Sequence, residues 1–138
     1  MSGGYVPASL QRRVRLRAGD RCEYCRIAQA SQKATFHVDH VGTRVAGGPT
    51  SLENLALACV SCSLPKGART TVIDSVTGDV TQLFHPRLDA WSDHFSAEAS
   101  GEILGLTSPG RGIVASLSMN RVLDVKIRCE DRARERWP

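Results

Sequence analysis

A chain of 138 residues has the length of one domain and can bury roughly two-thirds of its unfolded surface. Its three Phe, two Trp and two Tyr give it a core poor in aromatics. No apolar run approaches membrane-spanning length and no apolar leader segment follows Met1, so the expectation is a chain without a membrane-spanning helix in a reducing cytoplasm. The net charge of +4 is unevenly spread. Residues 10–26 carry six Arg against Asp20 and Glu23, residues 121–136 carry six basic against four acidic groups, and the middle is slightly acidic. Fifteen of the eighteen basic residues are Arg, whose forked guanidinium suits phosphate oxygens. A solvated helix face would have a similar composition, but beside a metal site polyanion binding is the better reading.

In chain order, "PASLQRRVRLRAGD" predicts a short basic helix, opened by Pro7 or Ser9, with Leu10 and Val14 on one face and Gly19 as its stop. A C-x-x-C knuckle follows. "KATFHVDHV" alternates as a strand does, and "AGGPTS" reads as a loop. "SLENLALAC" fits either a strand or the approach to a helix. Residues 59–68 predict a short helix that tolerates Pro65 only within its first two turns. "TVIDSVTGDVTQLF" reads as a hairpin turning at Thr77-Gly78-Asp79, "HPRLDAWSDHF" as a loop entering a short helix, and "EILGLT" as a strand. "SPGRGIVASLSMN" reads as a helix despite Gly110 and Gly112, and the polar end "RVLDVKIRCEDRARERWP" as a helix prone to fray.

Four of the five cysteines form two C-x-x-C pairs, Cys22/Cys25 and Cys59/Cys62. That double spacing points to a closed, tetrahedral structural zinc site rather than a disulfide framework. A redox pair would require a βαβ setting that the chain lacks. Structural zinc is worth ~10–16 kcal/mol of apparent binding free energy, as much as the whole net stability of a domain. Cys129 is left as an ordinary thiol. With no open position on the ion, this zinc would do no chemistry. It would instead draw Asp39-His40, Asn54 and residues 63–66 together.

Taken in order, C-x-x-C, "VDHV", "GG", "NLALAC", C-x-x-C and "KG" resemble the HNH endonuclease family of the ββα-metal superfamily, over roughly residues 20–68. "IDSVTGDVTQLFHPRLDAWSDHF" and "GLTSPGR…MN" are similar to one branch of small HNH proteins. The resemblance implies that His40 is the general base toward the attacking water and that Asp39 binds a catalytic divalent ion, Mg²⁺ or Mn²⁺. It also implies that Asn54 fixes the loop and the histidine's orientation. The residue after the last zinc cysteine, usually His or Asn in the family, would be a second metal ligand.

Chemistry is consistent with these roles. A hard cation held by a carboxylate offsets charge building on phosphate oxygens, and a neutral imidazole accepts a proton near neutral pH. An amide can hold a ring or loop without adding charge. Standing alone, His40 could be structural, Asp39 a turn carboxylate and Asn54 a helix cap. His37 shares the face of Asp39 on a regular strand and could touch phosphate or metal, or simply support the site. Lys66 and Arg69 sit where they could meet phosphate or be merely solvated. His85 and His94 receive no catalytic role.

Position 63 departs from the family pattern. Ser63 reaches about 1.5 Å less far than an Asn oxygen, while Mg²⁺ requires ligands near 2.0–2.1 Å. The expectation is therefore a weaker metal site, and a gain in metal affinity or cleavage on Ser63→Asn.

The resulting expectation is an α+β fold, with residues 1–138 forming one HNH domain: a zinc-stapled ββα core at about 20–68 and an extension at 69–138. Its function would be metal-dependent hydrolysis of phosphodiester bonds in DNA, most naturally double-stranded. Arg12, Arg13, Arg17, Lys66 and His37 would contact the nucleic acid. The rival reading is a catalytically impaired zinc-containing nucleic-acid-binding module, which Ser63 favours.

Overall fold

The structure, a computed structural model, describes residues 5–138; residues 1–4, part of the stretch read for an apolar leader, lie outside the described residues. Helix α1 (Ala8–Ala18) begins after Pro7 and ends at Gly19, whose left-handed backbone sends its N–H to Arg15 O and Leu16 O. Val14 on its inner face is fully buried, a contribution of about 1.5–3 kcal/mol for a side chain of that kind. Two arginines hold the helix to the sheet behind it. Arg15 Nη2 donates to Phe36 O (2.9 Å), and the Arg17 guanidinium donates to Leu52 O (2.7 Å) and Leu55 O (2.6 Å).

Strands β1 (His37–His40) and β2 (Leu55–Ala58) pair antiparallel, with His37 opposite Ala58 and His40 opposite Leu55. The alternation in residues 33–41 predicts a longer strand than the four residues that form. Residues 33–36 stay out of the sheet, where Gln29 takes backbone groups instead: its Nε2 donates to Ala34 O (2.9 Å) and its Oε1 accepts from Phe36 N (2.8 Å). The ambiguous "SLENLALAC" resolves into a 3₁₀ turn (Leu52–Asn54) followed by β2, all four of whose residues are buried.

Helix α2 (Val60–Lys66) follows at once, with Pro65 as its sixth residue. A proline there cannot donate to the carbonyl four residues back, and that carbonyl, Ser61 O, accepts instead from Arg121 Nη1 at 3.0 Å. Strands β1 and β2 with α2 make a strand–strand–helix unit, and the first knuckle is stitched to its edge through Glu23 N to Leu57 O (2.8 Å) and Leu57 N to Glu23 Oε2 (2.8 Å).

Beyond it, β3 (Thr71–Ile73) and β4 (Val80–Gln82) form the expected hairpin. Helix α3 (Trp91–His94) leads directly into β5 (Phe95–Ala97), which pairs with β6 (Ile103–Gly105). Helix α4 (Ser108–Ser116) is capped by the Thr107 hydroxyl, which accepts from Gly110 N at 3.1 Å. A Cβ at Gly112 would stand 2.4 Å from Val72 Cγ2, so only glycine lets α4 lie this close to β3.

Helix α5 (Val122–Ala133) does not fray as its polar composition suggests. Arg128 is buried and donates to Gly101 O (2.7 Å), Met119 O (2.7 Å) and Asn120 Oδ1 (3.1 Å). Ser31 donates to Asp131, and Trp137 Nε1 donates to Cys25 O at 3.0 Å. The C-terminal segment thus packs back onto the first knuckle. The architecture is α+β, and no helix among the described residues is long and apolar enough to cross a membrane.

Candidate active site

Each C-x-x-C pair is shaped by its own backbone. Cys22 N donates to Ile27 O (2.9 Å) and Arg26 N to Cys22 O (2.9 Å), with Arg26 in the left-handed region at φ 68°. In the second pair Cys59 caps α2, accepting from Cys62 N (3.1 Å) and Ser63 N (2.8 Å). The four thiols converge: all are buried, and their sulfurs lie within 4.8 Å of one another.

Cys25 Sγ is 3.7 Å from Cys59 Sγ. Sulfurs at ~2.3 Å from one tetrahedral zinc stand about 3.8 Å apart. Burial opposes ionisation of Cys22, yet hydrogen bonds from Cys25, Cys59 and Cys62 outweigh it and hold this thiol below the ordinary range. The bonds to Cys22 push Cys25 and Cys62 up. A central divalent cation favours the thiolate form of all four sulfurs. Donor set, spacing and charge all fit zinc.

The staple places Ser63, the residue after Cys62, against β1. Its hydroxyl donates to Asp39 Oδ2 and lies 2.8 Å from His37 Nδ1. His37 and Asp39 share the face of β1 that looks at α2, as strand alternation requires. Asp39 is 4 % exposed and Ser63 1 %. A carboxylate, a hydroxyl and an imidazole nitrogen thus meet at one point, a donor set suited to a divalent cation.

His40, one residue on, meets a different neighbour. Its Nε2 lies 2.8 Å from Thr50 Oγ1, and that hydroxyl oxygen accepts from Arg44 Nη1 at 2.7 Å. Burial, then the nearby Arg44 and Lys66 charges, pull the imidazole below its ordinary pKa, with Asp39 acting in the opposite sense. The ring is therefore neutral, and able to accept a proton, at lower pH than a free histidine.

Asn54 directs its amide to the loop backbone. Its Oδ1 accepts from Gly42 N (2.8 Å), and its Nδ2 donates to Gly42 O (2.8 Å) and Pro49 O (2.8 Å). It closes the loop that carries Thr50 to His40. A Cβ on Gly48 would fall 1.7 Å from Gly42 O, and Gly47 takes φ 86°, which together explain the "GG" that precedes Pro49.

Two residues expected to face nucleic acid are engaged within the fold. Lys66 is 1 % exposed and its ammonium donates to His40 O (3.2 Å) and Val41 O (3.3 Å). Burial lowers its pKa, with Asp39 partly offsetting this. Lys66 therefore braces the backbone of the DH step instead of reaching outward. Arg17 has its guanidinium on the Leu52 and Leu55 carbonyls, at the edge of an open cleft of ≈ 510 Å³ lined also by Glu53 and Arg87. Arg12 and Arg13 are exposed on α1.

Thr50 and Arg44, which contact or tune His40, carry no motif signature in the sequence. Only their place in the loop between His40 and Asn54 hints at them.

Fold and site together define a strand–strand–helix unit stapled by a four-cysteine cluster, with an Asp-His step on its first strand and a polar residue at the head of its helix. Residues 22–69 match the family model described as HNH endonuclease, which makes that segment an HNH domain. Searches of curated proteins and of solved structures find no match.

Proposed function

We propose that the protein is a metal-dependent endonuclease that hydrolyses phosphodiester bonds in DNA. The observation that carries this reading is the contact between Asp39 on β1 and Ser63 on α2, made beside the four-thiol cluster and one residue from a histidine whose pKa burial lowers. In this reading Asp39 and the Ser63 hydroxyl hold a catalytic Mg²⁺ or Mn²⁺. When bound, that ion neutralises charge developing on the phosphate. His40 accepts the proton of the attacking water, a role worth ~10²–10⁴-fold in rate. Lys66 fixes the backbone of His40, and Asn54 fixes the loop whose Thr50 bonds its ring. Arg12 and Arg13, free on the exposed face of α1, grip the phosphate backbone with little sequence preference, and Arg17 holds that helix in place. Binding of this kind weakens steeply with salt.

Ser63 in the place of a longer ligand favours a second reading, a zinc-stapled module that binds nucleic acid without cutting it. Nicking of supercoiled plasmid separates the two. The nuclease cuts with Mg²⁺ or Mn²⁺ and stops with chelator, whereas the binder only retards the plasmid's migration.

A further inference from the structure

The site is short of one ligand from the helix, and the strand carries a spare one. Ser63 Oγ is bonded at once to Asp39 Oδ2 and to His37 Nδ1 at 2.8 Å. The serine has one proton and gives it to the carboxylate, so the His37 nitrogen is the donor to Ser63 Oγ. Two atoms that share one hydrogen-bonding partner lie within about 5 Å of each other. Ligands in adjacent positions on a small divalent ion stand ~3 Å apart, so the pair needs only to close by about 2 Å. His37 is half-buried at the N-terminal end of β1, where its ring is less enclosed than Asp39 and Ser63. Asp39 and Ser63 are buried and fixed.

We infer that His37 is the ligand that compensates for Ser63: the catalytic divalent ion is held by Asp39 and by the His37 imidazole, with the Ser63 hydroxyl against it. This rests on the metal-dependent reading of the site. For Nδ1 to bind the ion, its proton passes to Nε2 or to solvent, leaving the Nδ1 lone pair for the ion. The consequence is a change of metal preference. An imidazole in a site of two oxygen donors favours Mn²⁺, Co²⁺ or Ni²⁺ over Mg²⁺, which prefers oxygen alone. The chain should behave as a transition-metal enzyme.

The test is pulsed electron paramagnetic resonance of Mn²⁺ bound to the zinc-loaded full chain, with competition by Mg²⁺. Wild type is expected to bind one Mn²⁺ with nitrogen modulation from a coordinated imidazole. His37→Ala should lose the modulation and weaken Mn²⁺ binding at least tenfold, and His40→Ala should keep the modulation. His37→Asp, which restores a ligand of harder type, should regain binding without modulation and shift the competition toward Mg²⁺; a merely structural His37 would not produce that shift. Zinc content and circular dichroism confirm that each variant is folded. Modulation that survives in His37→Ala, or that disappears only in His40→Ala, overturns the assignment while leaving the nuclease reading intact. A wild-type chain that takes up no Mn²⁺ beside its zinc overturns both.

Discussion

Asn54 and Gly42 are joined by a double hydrogen bond, Oδ1 to the glycine N–H and Nδ2 to its carbonyl, each 2.8 Å. With the third bond to Pro49 O, one buried amide closes the whole loop from β1 to Thr50. Asn54→Ala leaves those backbone groups without partners and should cost about 2–3 kcal/mol. Thermal unfolding reads that loss. Plasmid nicking should fall further than the stability does, because His40 loses the loop that bonds its ring. Gly48→Ala should reproduce both effects, since its Cβ would collide with Gly42 O. A variant with wild-type melting and nicking would show that the clamp is dispensable.

Chelation is expected to unfold the core. The four thiols make the connection between the first knuckle and α2, and zinc in such a site contributes ~10–16 kcal/mol, as much as a domain's entire net stability. One zinc per chain should be found by elemental analysis, and a strong zinc chelator should abolish the cooperative thermal transition. Cys59→Ser should do the same without chelator. Undiminished melting after zinc removal would contradict the staple.

The environment of His40 sets the pH response. Its pKa is lowered in the fold, so the folded chain takes up a proton less readily than the unfolded chain, whose histidine titrates near ~6.5. This contribution to stability is intact above about pH 6.5 and is lost as pH falls below it. His85, also lowered by burial, adds to the same decline. The activity profile should show an acidic limb below pH ~6.5. Arg44→Gln removes one of the charges that depress the ring, so it should move that limb to higher pH. An unmoved limb would show that Arg44 does not tune the base.

Arg128 tests whether the extension and the core fold as one unit. It is buried and donates to Gly101, Met119 and Asn120, while Trp137 reaches Cys25 O at the knuckle. Arg128→Ala should destabilise by about 3 kcal/mol through the acceptors it leaves unsatisfied. It should lower a single transition rather than split it in two. Two separated transitions by calorimetry would divide residues 69–138 from the core.

What was legible in the sequence was whatever rests on spacing. The two C-x-x-C pairs, the Gly19 stop, the β3–β4 hairpin (though its turn falls at residues 75–77 and not at 77–79) and the Asp39–Ser63 juxtaposition follow from local pattern and one metal constraint. Illegible was the direction taken by long polar side chains. Lys66 reads as a phosphate contact, yet it is buried and its ammonium satisfies the His40 and Val41 carbonyls, while Arg17 stays exposed on α1 with its guanidinium on the Leu52 and Leu55 carbonyls. Arg128 and Trp137 were hidden in the same way within a tail that looked polar throughout. The three-residue strand β5 has no period to detect, and Gln29 cut β1 short by a contact that no alternation encodes. Thr50 and Arg44 became visible only once Asn54 had closed their loop onto His40.

The central claim is that His40 acts as a general base beside a divalent ion. Single-turnover nicking of supercoiled plasmid, with Mn²⁺, by wild type and by folded, zinc-loaded His40→Ala tests it most directly. The expected result is metal-dependent nicking by wild type and a fall of ~10²–10⁴-fold in the variant. Equal rates for the two proteins, or no nicking by wild type with any divalent ion, would contradict it.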